Sequence, residues 1–282
     1  LAAARVRMFG PQALLARLAG ANRDSPLRLL AGGARDLPAR HQTIRGAIDW
    51  SYNLLEAAEQ TLFARLGVFV GGCTLEAATA VCNATNDLPM DVTNGIASLL
   101  DKSLLQLEEG ADGEPRFLML ETIREYALER LAQRGEAVPL RDRHLEYYLA
   151  LAEAAEPHLR GAEQIVWANR LEGEHDNFRA ALAWAHERGA VEGSTTAGAE
   201  AGLRLAGALF WFWDLRDHLS EGRRWLAGAL AQTNRPPALR RGRRHSMPWL
   251  RPRLTIWSHA PSLRRALRSG ERLVTSAASR CH

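Results

Sequence analysis

Residues 91–135 read DVTNGIASLLDKSLLQLEEGADGEPRFLMLETIREYALERLAQRG, and the order of patterns in this stretch decides the fold. Val92, Ile96, Leu99 and Leu100 recur at helical spacing, so the segment from about Val92 to Lys102 reads as a helix. It passes directly into alternation, with apolar Leu105 and Leu107 against polar Gln106 and Glu108. A Gly-rich turn at 110–113 and the apolar string RFLML follow, which predicts a β-hairpin. ETIREYALERLAQ then returns to helical spacing with Ile123, Tyr126, Ala127 and Leu131 on one face, and Gly135 is its stop. Upstream, Thr43 is placed to cap a helix carrying Ile44, Ala47, Ile48 and Ser51. Leu55, Leu62, Phe63, Leu66 and Phe69 form a second helical face ended by Gly71 and Gly72, and Thr74 opens a short helix bearing Leu75, Ala78 and Cys82. Helices, a hairpin and a closing helix describe a winged helix-turn-helix over residues 41–137.

Beyond Leu140 every segment is helical in pattern. LRDRHLEYYLALAEAAEPHL, then AEQIVWANRL running into EHDNFRAALAWAHERG, then AGAEAGLRLAGALFWFWDLRDHL and SEGRRWLAGALAQT pair up at a spacing of about 40 residues, as helical repeats do. Phe178, Leu182 and Ala185, and later Leu205, Leu209 and Phe212, make stripes that one helix cannot cover alone, the logic of an α-solenoid. The expected fold class is therefore mainly α: a winged helix-turn-helix with one small β-hairpin, followed by a TPR-like α-solenoid segment over residues 138–234. Residues 1–40 read as two short helices that end a helical subdomain.

The chain has 282 residues, of which 46% are hydrophobic and 24% charged, the balance of a folded rather than a disordered protein. No run of eighteen apolar residues and no signal peptide pattern occur, so a soluble, cytoplasmic protein with no membrane partner is expected. Leu1 in place of an initiator Met suggests a piece of something longer. Cys73, Cys82 and Cys281 fit no C-x-x-C pair and read as reduced thiols. The formal net charge of +4 conceals a split. Residues 235–282 hold twelve Arg against one acidic residue, Glu271, for +11, which leaves the body at −7. That stretch carries five prolines and no sustained period. Three readings compete for it: an arm for nucleic acid or an acidic partner, a solvated tail, or residues read out of frame from a GC-rich gene. The third best accounts for the abrupt loss of helical patterning after Thr233.

Several chemistries fall away. Lys102 is the single lysine and is preceded by Leu100 and Asp101, so no G-x-x-x-x-G-K-[ST] phosphate loop exists. No G-x-S-x-G elbow or H-E-x-x-H pair occurs, and no catalytic residue is assigned. Glu172 and His175 have the E-x-x-H spacing of helical carboxylate metal sites, but one copy is not a site, so no metal ligand is assigned. The neighbouring Glu174 and Asp176 read as capping or surface charge, the lone His41 and His144 as structural, and Phe210, Trp211, Phe212 and Trp213 as core packing. The candidate recognition helix offers Asp91, Asn94, Asp101 and Lys102, a net charge of −1 and no Arg. Such a helix repels phosphate, which favours a packing or regulatory module over a groove reader.

The strings LAAARVRMFGPQALLARL (1–18), LPARHQTIRGAIDWSYNLLEAAEQTLFARLGVFVGGCTLEAA (37–78), LLDKSLLQ (99–106), FLMLETIREYALERL (117–131) and LEGEHDNFRAALAWA (171–185) together resemble the middle of bacterial STAND-type regulators. These are LuxR-like or AfsR-like ATPase transcriptional regulators, in which an NB-ARC-type nucleotide-binding domain precedes a winged helix and TPR-like repeats. The resemblance spans roughly residues 1–234. It implies that residues 1–40 end the NB-ARC helical subdomain, that the phosphate loop lies upstream of Leu1, and that ATP or ADP is a cofactor of the full-length protein and not of this chain. It further implies an intramolecular nucleotide-binding domain as partner, an inducer or protein on the repeats, and DNA contacted through a domain outside this chain. In NB-ARC switches a Met-His-Asp motif touches the β-phosphate of ADP, and the matching position here is Met119, Leu120 and Glu121. Leu120 has no donor, so either another residue senses nucleotide or the winged helix responds by packing. Arg40, His41 and Arg45 lie near the junction and match no motif. The rival reading is a stand-alone winged-helix DNA-binding protein using its Arg-rich tail as a phosphate clamp.

Overall fold

The computed structural model describes residues 43–110, 113–190 and 197–233. The expected helical subdomain at 1–40, with Arg40 and His41, and the basic stretch at 235–282, with Cys281, lie outside the described residues. The chain divides into two compact units, with the division between Ala185 and His186.

The first unit opens with α1 (Ile44–Asn53), where the Thr43 hydroxyl accepts the Gly46 N–H at 2.8 Å and supplies the expected cap. Helix α2 (Ala57–Leu66) starts from a capping box in which the Glu56 N–H donates to Glu59 Oε2 at 2.8 Å. Its buried face is Leu62, Phe63 and Leu66. It stops at Leu66, one turn earlier than the apolar spacing suggests. Gly67 follows, where a Cβ would stand 2.9 Å from Ala127 Cβ, so the chain passes close to the later segment that carries Ala127. Val68 and Phe69 stay buried, but in a turn.

Helix α3 (Leu75–Cys82) is capped by Thr74 and α4 (Val92–Asp101) by Asp91, whose carboxylates or hydroxyls take the orphan amides of each first turn. Gly95 lets α4 sit against α2, since a Cβ there would be 2.4 Å from Leu62 Cδ2. Strands β1 (Gln106–Glu109) and β2 (Pro115–Leu118) pair antiparallel, Gln106 opposite Leu118 and Glu109 opposite Pro115. A bridge from Cys73 to Phe117 extends the pairing on the other edge of β2. The alternation found the strand but not its burial, because β1 has no layer against either face and Leu107 is 58% exposed. Helix α5 (Glu121–Gln133) buries Ile123, Tyr126, Ala127 and Leu131, and Gly135 follows it at φ +72°, the left-handed stop that favours glycine. Tyr52, Phe63 and Tyr126 close the core as three rings with centroids 5.5–6.3 Å apart. Each such ring removed from water contributes about 1.5–3 kcal/mol.

Three further helices follow, α6 (Ala137–Ala155), α7 (Gln164–Gly173) and α8 (His175–Ala190), the last running past the division at Ala185, with a 3-10 turn at His158–Arg160. Leu140, His144, Leu145, Tyr148, Leu149 and Ala152 form a buried stripe at three- and four-residue spacing along α6, which packs on α3 and α5.

In the second unit, α9 (Ala197–Ala208) packs on α11 (Leu219–Thr233), and α10 (Phe210–Leu215) lies against both. The stretch AGAEAGLRLAGALFWFWDLRDHL, read as one helical segment, is divided at Leu209 into α9 and α10, and Asp217 at φ +59° turns the chain from α10 into α11. Phe210, Phe212 and Trp213 are buried as core, and Gly222 makes room for Trp213, whose ring a Cβ would meet at 2.4 Å. The architecture is mainly α, a winged helix-turn-helix with one two-stranded antiparallel sheet followed by helices. Among the described residues no helix is long and apolar enough to cross a membrane.

Candidate functional site

A winged helix offers two surfaces to a partner, the second helix of the turn motif and the wing. On α4 and its C-terminal turn, Asp91, Thr93, Asn94, Ala97, Asp101 and Lys102 are exposed. Lys102 Nζ donates to Glu59 Oε1 at 2.7 Å and to Ser98 Oγ at 2.5 Å, so the chain's only lysine folds back onto α2. Burial pushes the Glu59 carboxyl up, but Lys102, Ser98 and the Glu56 N–H outweigh it and hold the group below its ordinary range. On the wing, Glu108, Glu109 and Glu114 are exposed. Its arginine, Arg116, pairs with Glu174 and is largely buried. Among the described residues from Asp91 to Leu118 both cations are thus committed to carboxylates, while five other carboxylates are exposed. Such a face repels a phosphate backbone.

Met119, Leu120 and Glu121 join β2 to α5. Met119 is half-buried, and Leu120 is 50% exposed, its carbonyl accepting the Ile123 and Arg124 amides at 2.8 Å. Glu121 accepts Arg124 Nε and Nη2 at 2.9 and 2.8 Å. The side chains here present hydrocarbon and a carboxylate and no phosphate donor. Arg45 is drawn to Glu129, its Nη1 donating at 3.1 Å, and that bond raises its already high pKa. Together with Asp49, which accepts Tyr126 Oη at 2.5 Å and Arg130 Nη2 at 2.9 Å, it fastens α1 to α5.

The densest polar cluster lies where the wing meets α6 and α8. Asn177 is fully buried and uses both ends of its amide: Oδ1 accepts the Val70 N–H at 2.8 Å and faces His144 Nε2 at 3.3 Å, while Nδ2 donates to the Gly72 carbonyl and to Glu174 Oε2, each at 2.8 Å. Glu174, 4% exposed, also accepts Tyr148 Oη at 2.7 Å and the guanidinium of Arg116. Arg116 Nη2 reaches the Gly71 and Gly72 carbonyls at 3.4 and 3.3 Å. Gly71 and Gly72 have φ of +72° and +85°, and this double left-handed turn places both carbonyls toward the cluster. Burial holds the His144 imidazole down at about 4, so it is neutral there. Burial, with Glu174 adding to it, pushes the Tyr148 phenol well up, which keeps it a donor. Burial lowers the Arg116 pKa but Glu174 outweighs it, leaving a net rise.

Glu174 and Asn177 are the residues that sequence reasoning missed. A capping or surface role was expected for Glu174; the structure buries it. An Asn beside Phe178 on a helix face otherwise carrying Ala181, Leu182 and Ala185 was the available signal, since a buried amide needs four partners. Glu172 is exposed, and its Oε1 stands 3.9 Å from Nδ1 of buried His175. His144 is structural, as its isolation suggested.

Residues 55–132 match the winged helix-turn-helix domain family. The chain is similar to a Mycobacterium tuberculosis (strain H37Rv) protein named as an HTH-type transcriptional regulator, 42% identical over 229 residues that cover 81% of this chain and 24% of that protein. A Mycobacterium bovis protein of the same designation gives the same figures. An uncharacterized Mycobacterium tuberculosis protein is 37% identical over 138 residues, 49% of this chain and 34% of its own length. No solved structure matches the chain. It spans about a quarter of the length of the first of these relatives. Fold and comparison agree that residues 55–132 form a winged helix-turn-helix domain, in a chain similar to HTH-type transcriptional regulators.

Proposed function

We propose that this chain is a non-catalytic segment of an ATP-dependent, signal-transducing transcriptional regulator of the STAND type, LuxR-like or AfsR-like, acting in the cytoplasm. Residues 1–40 end an NB-ARC helical subdomain, 41–137 are the winged helix, and 138–234 are TPR-like helices that receive an inducer or a protein. The winged helix couples the nucleotide-binding domain to those helices by packing, and DNA is contacted through another domain. Nucleotide is held by residues outside this chain, since Met119, Leu120 and Glu121 offer no phosphate donor.

One observation carries the packing role: Lys102 and Arg116 both turn inward to carboxylates, leaving an acidic reading face. The similarity to a protein named as an HTH-type transcriptional regulator supports the wider setting. Fluorescence anisotropy with labelled duplex DNA at low salt tests the reading. Asn94→Ala and Thr93→Ala leave any DNA affinity of the chain unchanged, and residual binding disappears when residues 235–282 are removed. Loss of binding on Asn94→Ala would favour a stand-alone DNA-binding winged helix instead. The purified chain hydrolyses no ATP above a buffer blank, and turnover above that blank counts against the non-catalytic assignment.

A further inference from the structure

We infer that Glu174 and Asn177 form a latch that fuses the winged helix to α6 and α8, so that residues 43–185 open and close as one cooperative body rather than as a winged helix with helices appended. This rests on the coupling role proposed above only for its biological meaning, and names the residues that perform it.

The amide of Asn177 bonds to the backbone of Val70 and Gly72, more than a hundred positions upstream, and to Glu174 and His144 on the helical side. Glu174 in turn holds Arg116 on β2 and Tyr148 on α6. Asn177, Glu174, His144, Tyr148 and Arg116 therefore share one hydrogen-bond network, and the first four are buried from water. A network of this kind is stable when complete and costly when any member leaves, because the remaining donors and acceptors stay buried and unpaired. Separation of the wing and the turn at 70–72 from α8 must break the Asn177 bonds to Val70 and Gly72 and the Arg116–Glu174 pair together. The backbone is built for the contact: a side chain at Gly72 would strike Leu118 Cγ at 2.8 Å and the Phe117 carbonyl at 2.9 Å, so the turn that presents its carbonyl to Asn177 tolerates glycine alone. The wider packing agrees, since the first division between compact units falls at Ala185 and not at the end of the winged helix. The wing's inner strand is thereby taken out of service as a DNA clamp and becomes the seat of the helices that follow.

Native-state hydrogen exchange of the full chain, followed by mass spectrometry at increasing urea, tests this. In the wild type, amides of Val70, Cys73 and Phe117 share one exchange isotherm with those of α6 around Leu145–Leu149. Asn177→Ala raises exchange at Val70, Cys73 and Phe117 by at least about tenfold and splits the isotherm in two. Tyr148→Phe, which removes one hydroxyl and keeps the ring, raises exchange at those three amides as well as in α6, by a smaller factor, and is the reading used if Asn177→Ala does not fold. Wing amides that exchange on a separate isotherm in the wild type overturn the latch. So does a Tyr148→Phe effect confined to α6. Neither nucleotide nor DNA enters this assay, so its failure leaves the regulator reading standing and the reverse.

Discussion

Arg65 makes four hydrogen bonds through its guanidinium, and its replacement by Met, which keeps an apolar stem and removes every donor, should be strongly destabilising. Its side chain is 7% exposed. Nη1 and Nη2 grip Asp87 at 2.9 and 2.7 Å, Nε donates to Glu136 at 2.7 Å, and Nη1 also reaches the Cys82 carbonyl at 2.8 Å. One guanidinium thus joins the end of α2, the last turn of α3, the loop before α4 and the residue before α6. Removing one partner of a buried ion pair costs about 3–5 kcal/mol because the other charge is stranded. Here Asp87 and Glu136 are 44% and 30% exposed and can rehydrate, which lowers the figure, while the Cys82 carbonyl cannot. The loss should be about 3 kcal/mol at pH 7. For a cooperative unit of this size that is a fall in Tm of roughly 6–12 °C in a calorimetric or circular-dichroism melt.

The pH dependence sharpens the test. Hydrogen bonding from Arg65 holds the Asp87 carboxyl well below its ordinary range. A carboxyl with a depressed folded-state pKa stabilises fully above its unfolded value, near 3.9, and that contribution fades as pH falls toward the folded value. The gap between wild type and Arg65→Met should therefore narrow between pH 5 and pH 3. A Tm change under about 2 °C at neutral pH, or a gap of constant size at pH 3, would show that the clasp does not act as its geometry implies.

Three further outcomes follow from local geometry. Gly72→Ala combines a left-handed backbone with contacts of 2.8 and 2.9 Å, so it should lower stability by about 2–4 kcal/mol in urea unfolding, whereas Gly113→Ala, with open space around it, should cost no more than about 1–2 kcal/mol. His144 is held neutral at about 4 by burial between Phe69, Tyr148 and Asn177. Since its unfolded form takes a proton near 6.5, stability should decline as pH falls from 6.5 toward 4, by up to about 3 kcal/mol, and His144→Phe should flatten that part of the profile; identical slopes for both proteins would exclude the histidine as the cause. Gly222→Val should unfold α10 from α11, because its side chain would meet the Trp213 ring at 2.4 Å, and Trp fluorescence should shift to the red without change in the exchange of α1–α5.

What the sequence disclosed and what it withheld divide by range. Thr43 and Thr74 were readable as caps because each bonds an amide three positions away, and Gly135 was readable as a stop because its signal is equally local. The buried face of α5 followed from spacing alone. Leu107 misled because alternation reports a strand's geometry and not whether a layer covers it. Gly67 was silent because its role is set by Ala127, sixty positions later. The inward turn of Lys102 was hidden because its partner Glu59 stands 43 positions upstream. Glu174 looked like a capping or surface residue, and Asn177 drew no reading, for the same reason, their partners Arg116 and Gly72 lying 58 and 105 positions away. Met119, Leu120 and Glu121 lie between β2 and α5, where the hairpin and helix patterns put them, and residue identity alone excluded a side-chain phosphate donor at Leu120.

The two halves of the electrostatic argument are one. A winged helix that reads a groove spends its cations outward, on phosphates and base edges. This one has a single cation on the recognition helix and a single cation on the wing among its described residues, and each turns inward to a buried carboxylate contributed by another element, Glu59 on α2 and Glu174 at the head of α8. Those carboxylates are too buried to be left alone, so neither cation can swing outward without stranding a charge. Restoring a DNA-reading face would therefore take more than adding arginines at Asn94 and Ala97. It would also require neutral residues at positions 59 and 174, and the second change dismantles the joint with α6 and α8. Groove reading and rigid attachment of the helices compete for the same arginine, and Arg116 is committed to the attachment.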